Sequence, residues 1–161
     1  MKKYLLWGVF MAPLFLCMSA KAGMLTLQKQ ITCLTEAIYF EARGENFIGQ
    51  LAVANVILNR VRHVKFPNTV CDVVHEGRYW KGNPVRNKCQ FSYWCDGKSE
   101  KMKDKTALEQ AKNIAILSLA GARIDRMENV LYYHASYMRP YWISYVDRVE
   151  KIGTHIFYRS K

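Results

Sequence analysis

The chain has 161 residues, a formal net charge of +11 at neutral pH and five cysteines. Its length suits one compact domain with one core. So many cations draw a protein to anionic polymers, but there is no dense basic tract and the aromatics do not interleave with cations as in a nucleic-acid module, which excludes nucleic acid as the partner.

The N-terminus has a three-part layout. Met1-Lys2-Lys3 is positive, residues 4–18 are almost wholly apolar, and Ala20-Lys21-Ala22 places small residues at a cleavage site. This predicts a secretory signal peptide over residues 1–22, with 23–161 as the working domain. An uncleaved anchor is the alternative, but the apolar run is shorter than the roughly 20 residues a spanning helix needs. Bulky Leu16 before Cys17 speaks against a lipoprotein. The sequence therefore predicts export to the periplasm or beyond the cell, with no stable membrane insertion after cleavage. Removing Lys2, Lys3 and Lys21 lowers the charge from +11 to +8, still suited to an anionic bacterial envelope. Four cysteines remain: Cys33, Cys71, Cys89 and Cys95. In a small exported chain they read as two disulfides, with all three pairings open. Zinc would favour a C-x2-C pair, which is missing, so neither metal nor cofactor is expected.

Ile31, Leu34, Ile38 and Ala42 recur at helical spacing, predicting a helix over 28–42 ended by Gly44. A second helix over 49–61 is apolar around most of its circumference and belongs in the core. Asn68 or Thr69 caps a short helix through Val74. Residues 76–104 are broken by Gly77, Gly82, Asn83, Pro84 and Gly97, with a short strand at 90–94. Thr106 and Glu109 form a capping box that opens a third helix, ended by Gly121. A strand over 129–137 turns Val130, Tyr132 and His134 to one face and Leu131, Tyr133 and Ala135 to the other. A last strand covers 152–158. The fold class is α+β, with helices in the N-terminal half and a short β-sheet toward the C-terminus.

Glu41 lies on the stripe of Ile31, Leu34 and Ile38. A carboxylate at the edge of the core is desolvated, its pKa rises, and it becomes suited to general-acid work such as protonating a glycosidic oxygen. The structural alternative is a helix-end Glu paired with Arg43 or Arg60.

The blocks Ala37-Ile38-Tyr39-Phe40-Glu41-Ala42-Arg43-Gly44-Glu45, Gly49-Gln50-Leu51-Ala52-Val53-Ala54 and Val56-Ile57-Leu58-Asn59-Arg60-Val61 resemble the SleB/CwlJ-type cell-wall hydrolases. Phe66-Pro67-Asn68-Thr69-Val70, Cys89-Gln90-Phe91-Ser92 and Lys151-Ile152-Gly153-Thr154-His155-Ile156-Phe157 continue the resemblance, which extends from about residue 32 to 158. That family includes spore-cortex-lytic enzymes. The resemblance implies a small lysozyme-like α+β domain that cleaves peptidoglycan glycan strands between N-acetylmuramic acid and N-acetylglucosamine, with Glu41 as the acid. Similar members are assigned a lytic transglycosylase reaction, in which the muramyl C6 hydroxyl attacks the anomeric carbon. One acid/base Glu then suffices, whereas a hydrolytic muramidase needs two carboxylates.

Glu45 is a substrate-site candidate, although Gly44 redirects it and an anchoring role suits it better. Gln90, Ser92 and Trp94 share one strand face, suited to sugar hydroxyls, acetamido groups and stacking. Tyr132, His134 and Trp142 are further candidates for the cleft. Arg43, Tyr133, Tyr141 and His155 can line it or serve the scaffold. Asn55 and Asn59 read as scaffold groups tying their helix to the catalytic loop. Two rival functions remain open. An N-acetylmuramoyl-L-alanine amidase would need a tight His ligand set that His63, His75, His134 and His155 do not form; a non-catalytic peptidoglycan-binding protein would have no use for a half-buried acid.

Overall fold

In the computed structural model the backbone is described from residue 13 and the side chains from residue 23, in both cases to residue 161. The signal-peptide reading of residues 1–22 lies outside the residues described with side chains. Helix α1 spans Pro13–Ala42, beginning well before the expected residue 28. Leu34, Ala37, Ile38 and Ala42 are buried along the expected stripe. Gly44 follows the helix but does not adopt the left-handed cap conformation, found instead at Gly82, Gly97, Gly121 and Gly153. The turn is made by Glu45 N donating to Ala42 O at 2.9 Å.

Asn46 caps α2 (Phe47–Arg62), its side chain accepting from Gly49 N at 3.0 Å. Residues Leu51 to Leu58 are buried throughout, so α2 is the central element of the core, as its sequence predicts. Of the two cap residues the sequence offers, Asn68 and Thr69, it is Thr69 that caps α3 (Val70–Val74). Helix α4 (Lys105–Leu119) is capped by Asp104 and not by Thr106. Asp104 N donates to the Tyr39 hydroxyl at 3.0 Å, which pins the cap to α1.

Between α3 and α4 the expected strand at 90–94 does not form. Instead β1 (Gly77–Trp80) and β2 (Asn83–Cys89) make an antiparallel hairpin, and Ser92–Cys95 is a 3-10 turn. Lys81 and Gly82, with φ of 49° and 81°, occupy the hairpin turn. Positive φ at both central residues is the type I′ geometry that matches strand twist. Burial still alternates, with Phe91 and Tyr93 inward and Gln90 and Ser92 outward, which is why the segment mimics a strand. It has no partner strand, and the 3-10 turn carries Trp94 away from Gln90 and Ser92.

The C-terminal sheet is antiparallel in the order β3-β5-β4, from β3 (Val130–Ala135), β4 (Val146–Ile152) and β5 (His155–Ser160). The expected strand 129–137 is shorter, and the expected strand 152–158 is two, since Ile152 ends β4 and Gly153-Thr154 is a turn. Asn55 Oδ1 accepts from Ile124 N at 2.9 Å. Asn59 Nδ2 donates to Met127 O at 2.7 Å and Val130 O at 3.0 Å. These asparagines therefore tie α2 to the segment entering β3.

A second tie crosses the molecule at Glu45, whose carboxylate accepts from Thr154 N at 3.1 Å and from the Thr154 hydroxyl. A Cβ on Gly153, at φ +56°, would collide with the Glu45 carboxylate, so the glycine makes this approach possible.

Two disulfides complete the frame. Cys33–Cys71 joins α1 to α3, and Cys89–Cys95 closes the segment after the hairpin. On a chain-entropy account the loop of separation 38 contributes about 4 kcal/mol and the loop of separation 6 about 2 kcal/mol. Replacing Cys33 and Cys71 by Ala should therefore cost more in chemical denaturation than replacing Cys89 and Cys95. The second pair should cost more activity per unit of stability, because its loop holds Gln90 and Ser92. Equal losses of activity at matched stability would contradict this.

Candidate active site

A cleft of about 1060 Å³ opens where the end of α1 meets the 90–100 segment and the sheet. Glu41 stands in its wall, one residue before the end of α1. The Tyr133 hydroxyl donates to Glu41 Oε2 at 3.1 Å, bringing β3 against α1. Burial holds the Glu41 carboxyl above the ordinary carboxylate range; the Tyr133 bond and the positive charge of Arg60 partly offset that rise. Burial and the neighbouring Glu41 carboxylate push the Tyr133 phenol up, so it stays a donor.

Arg60 projects from the last turn of α2 and is buried. Its Nε donates to Leu131 O at 2.8 Å, and its guanidinium lies 5.2 Å from the Phe66 ring centroid and 5.5 Å from that of Phe91. Neither Arg60 nor Arg43 forms an ion pair with Glu41 within 4.0 Å, so the helix-end salt bridge is not what holds this carboxylate. Arg43 is exposed and lies over the Tyr39 ring at 5.2 Å, at the cleft edge.

Gln90, Ser92, Tyr132, His134 and Trp142 also line the cleft. Gln90 and Ser92 are exposed and offer amide and hydroxyl groups to it. His134 is buried with both ring nitrogens engaged, Nδ1 with Ala135 O at 2.9 Å and Nε2 with the Tyr158 hydroxyl at 2.8 Å. A carbonyl only accepts, so Nδ1 carries the proton and, in the neutral ring, Nε2 accepts from Tyr158. Trp142 packs edge-on to His134 and Tyr158 at 5.7 and 5.6 Å. Farther out, the exposed Tyr137 and Tyr145 extend the cleft as an aromatic shelf.

Two expected members lie elsewhere. Trp94 does not line the cleft; it stacks on His75 at 3.7 Å between centroids and donates from Nε1 to the Tyr79 hydroxyl at 2.9 Å. Glu45 is also outside the lining, held by Thr154, with His155 Nδ1 3.5 Å from its Oε1. His155 does line the cleft, and burial lowers its pKa although Glu45 opposes that shift. It meets the Tyr133 ring edge-on at 5.3 Å, so a line of contacts runs from Glu41 through Tyr133 and His155 to Glu45. The sequence offered Tyr133 only as a group that lines the cleft or serves the scaffold and Arg60 only as an ion-pair partner for Glu41; the Tyr133–Glu41 bond and the burial of Arg60 come from the structure. Alternation put Tyr133 opposite Tyr132, yet both line the cleft, as do His134 and Ala135 after them.

Asp96 and Glu100 are the other carboxylates of the wall. Asp96 accepts from Lys98 N at 2.7 Å and pairs with Lys98 Nζ at 3.7 Å. Glu100, like Glu41, is close enough for its charge to raise the Tyr93 phenol, itself lifted mainly by burial.

The chain is 37% identical over 131 residues to a spore cortex-lytic enzyme of Bacillus cereus, covering 81% of this chain and 44% of that protein. With the spore cortex-lytic enzyme of Bacillus subtilis it shares 33% over 127 residues, 79% of this chain and 36% of the relative. It thus spans less than half the length of these relatives. Its structure is similar to the catalytic domain of the germination-specific lytic transglycosylase SleB from Bacillus anthracis, at TM-score 0.63 and 34% identity, covering 82% of this chain and 95% of that one. The catalytic domain of the Bacillus cereus SleB protein gives TM-score 0.63 and 33% identity over 82% and 91% of the two chains. Residues 44–158 match the Cell Wall Hydrolase profile, and the chain belongs to that family.

Proposed function

We propose that the chain is an exported enzyme that cleaves peptidoglycan glycan strands between N-acetylmuramic acid and N-acetylglucosamine as a lytic transglycosylase, with Glu41 as its single acid/base. The observation that carries the reading is the setting of Glu41: a carboxyl raised by burial, in a cleft wall, under the Tyr133 hydroxyl. Glu41 donates its proton to the glycosidic oxygen as the bond to the muramyl anomeric carbon breaks. The carboxylate then takes the proton of the muramyl C6 hydroxyl, whose oxygen closes on that carbon to give a 1,6-anhydro end. Glu41 leaves the cycle protonated, and no water is consumed.

The opposing influences on Glu41 suit both halves of this cycle. Desolvation keeps the acid charged with its proton, while the Tyr133 donor and the Arg60 field stabilise the carboxylate once the proton has gone. In this reading Gln90 and Ser92, which line the cleft, supply acetamido and hydroxyl contacts, and Tyr132 and Trp142 meet the apolar faces of the sugars. Arg43 at the rim is suited to a substrate carboxylate. Glu45 supports the reaction at a distance, by anchoring the turn before His155. The family match, the spore cortex-lytic relatives and the likeness to SleB catalytic domains support peptidoglycan as the substrate.

Digestion of purified peptidoglycan with residues 23–161, followed by mass spectrometry, should release anhydro-muramyl products. Reducing muramic ends would replace this mechanism with water attack, for which Glu100 is the available second carboxylate, and free stem peptides would sink glycan cleavage altogether. Glu41→Gln should lower activity by about 10²–10⁴-fold, the range of a lost general acid. The same substitution should raise stability at neutral pH. A carboxyl with a raised folded pKa contributes stability below its unfolded pKa and loses it as pH rises through the folded value, a loss Gln does not suffer. A melting temperature that falls at pH 7.5 in Glu41→Gln would contradict the desolvated setting. Tyr133→Phe removes a bond that lowers the Glu41 pKa, so the alkaline limb of kcat/KM against pH should move up; a limb that stays in place or moves down would exclude that role.

A further inference from the structure

The β1–β2 hairpin is the one part of the described fold that is both nearly unburied and uniformly basic. All four residues of β1 are exposed, and Trp80 beside the turn is 71% exposed. Arg78, Lys81, Arg86 and Lys88 fall between residues 77 and 95, a stretch with no Asp or Glu. Among the described residues none of these four cations forms an ion pair.

No apolar core holds this ribbon, yet it is braced. Cys89 at its base is tied to Cys95. The Tyr79 hydroxyl donates to His75 O at 2.7 Å and accepts from Trp94 Nε1 at 2.9 Å. The type I′ turn at Lys81 and Gly82 sets the tip. The ribbon also begins at the cleft. Cys89 leads directly into Gln90, and the Arg86 guanidinium lies against Gly97, where an added Cβ would be 3.5 Å from Arg86 Nε.

We propose that this hairpin is a docking arm for the acidic stem peptides of the glycan strand whose sugars occupy the cleft. This rests on the glycan-cleaving reading of that cleft. A polymer leaving an open cleft runs over the adjoining surface, and here that surface is positive. Stem peptides carry free carboxylates, which Arg86 and Lys88 at the cleft end meet first. Exposed charges act over a Debye length of about 8 Å at physiological salt, so the arm enriches peptide-bearing strands near the cleft and loses its effect as salt is raised. The substrate class is thus glycan bearing stem peptides with free carboxylates, in preference to glycan whose peptide carboxylates are capped.

The test separates binding from cleavage by using the Glu41→Gln chain in co-sedimentation with intact sacculi and with sacculi whose stem-peptide carboxylates have been capped as amides with a carbodiimide and ammonia, which removes the negative charge and leaves the wall insoluble. Binding to intact sacculi should be stronger and salt-sensitive, and adding Arg86→Gln with Lys88→Gln should weaken it about tenfold. Arg86→Lys with Lys88→Arg, which keeps the charge, should retain it. Equal binding to both sacculi, or loss in the charge-preserving variant, would overturn the proposal. So would a charge-dependent loss seen only on phosphatidylglycerol vesicles, which would make the arm a membrane contact. If the wild-type chain releases no glycan products while this binding pattern appears, the cleavage reading fails and the arm stands.

Discussion

The cleft depends on a cation placed where cations are costly. Arg60 is 6% exposed and has no carboxylate within ion-pair distance. Burying such a charge is unfavourable unless hydrogen bonds and nearby fields compensate. Here the Leu131 carbonyl, the faces of Phe66 and Phe91 and the charges of Glu41 and Glu76 do so, while burial still lowers the guanidinium's pKa. The bond to Leu131 O has a second effect. It fixes the start of β3 on α2, and Tyr133 follows two residues later. The group that makes the core electrically tense also sets the donor that meets Glu41.

Two glutamates four residues apart end in opposite situations because the helix stops between them. Glu41 remains on α1 and faces the cleft with one side-chain donor. Glu45 lies past the turn and is taken up by Thr154 and His155. A continuous helix would stack them a turn apart on one face. Breaking it at residues 43–46 gives one carboxylate a half-desolvated opening and the other a role in joining the α1–α2 corner to the β4–β5 turn. Removing Glu45 would leave the Thr154 N–H and hydroxyl without their acceptor, so its influence on the cleft runs through backbone placement.

Much of the helical half was legible because buried stripes and caps are local signals. The spacing of Leu34, Ile38 and Ala42 on α1, the apolar circumference of α2 and Thr69 before α3 all appear in the structure as read. The sheet was harder. The apolar residues of β4, Val146, Val149 and Ile152, recur every three positions, because the register shifts between Arg148 and Glu150, so no alternation is visible. The hairpin was invisible for another reason: almost nothing in it is buried, and its stability comes from a turn, a disulfide and the Tyr79 bonds. Glu41, Gln90 and Ser92, named from the sequence, line the cleft, whereas Trp94 does not, because the segment is a 3-10 turn. Tyr133 was legible only as a group able to line the cleft or pack; its bond to Glu41 joins residues 92 positions apart, and no local pattern carries that.

The Glu41–Tyr133 bond spans 92 positions and the Glu45–Thr154 bond 109. Neither bond can exist until the chain has been made through Tyr133 and Thr154, and each closes a long loop at an entropic cost. Until the last strands arrive, Glu41 is a carboxylate at the end of an unfinished helix, open to water and without its donor. The environment that raises its pKa therefore belongs to the finished chain alone. A nascent or C-terminally clipped chain carries every residue of the Glu41–Glu45 segment and still lacks the chemistry that segment is read to perform.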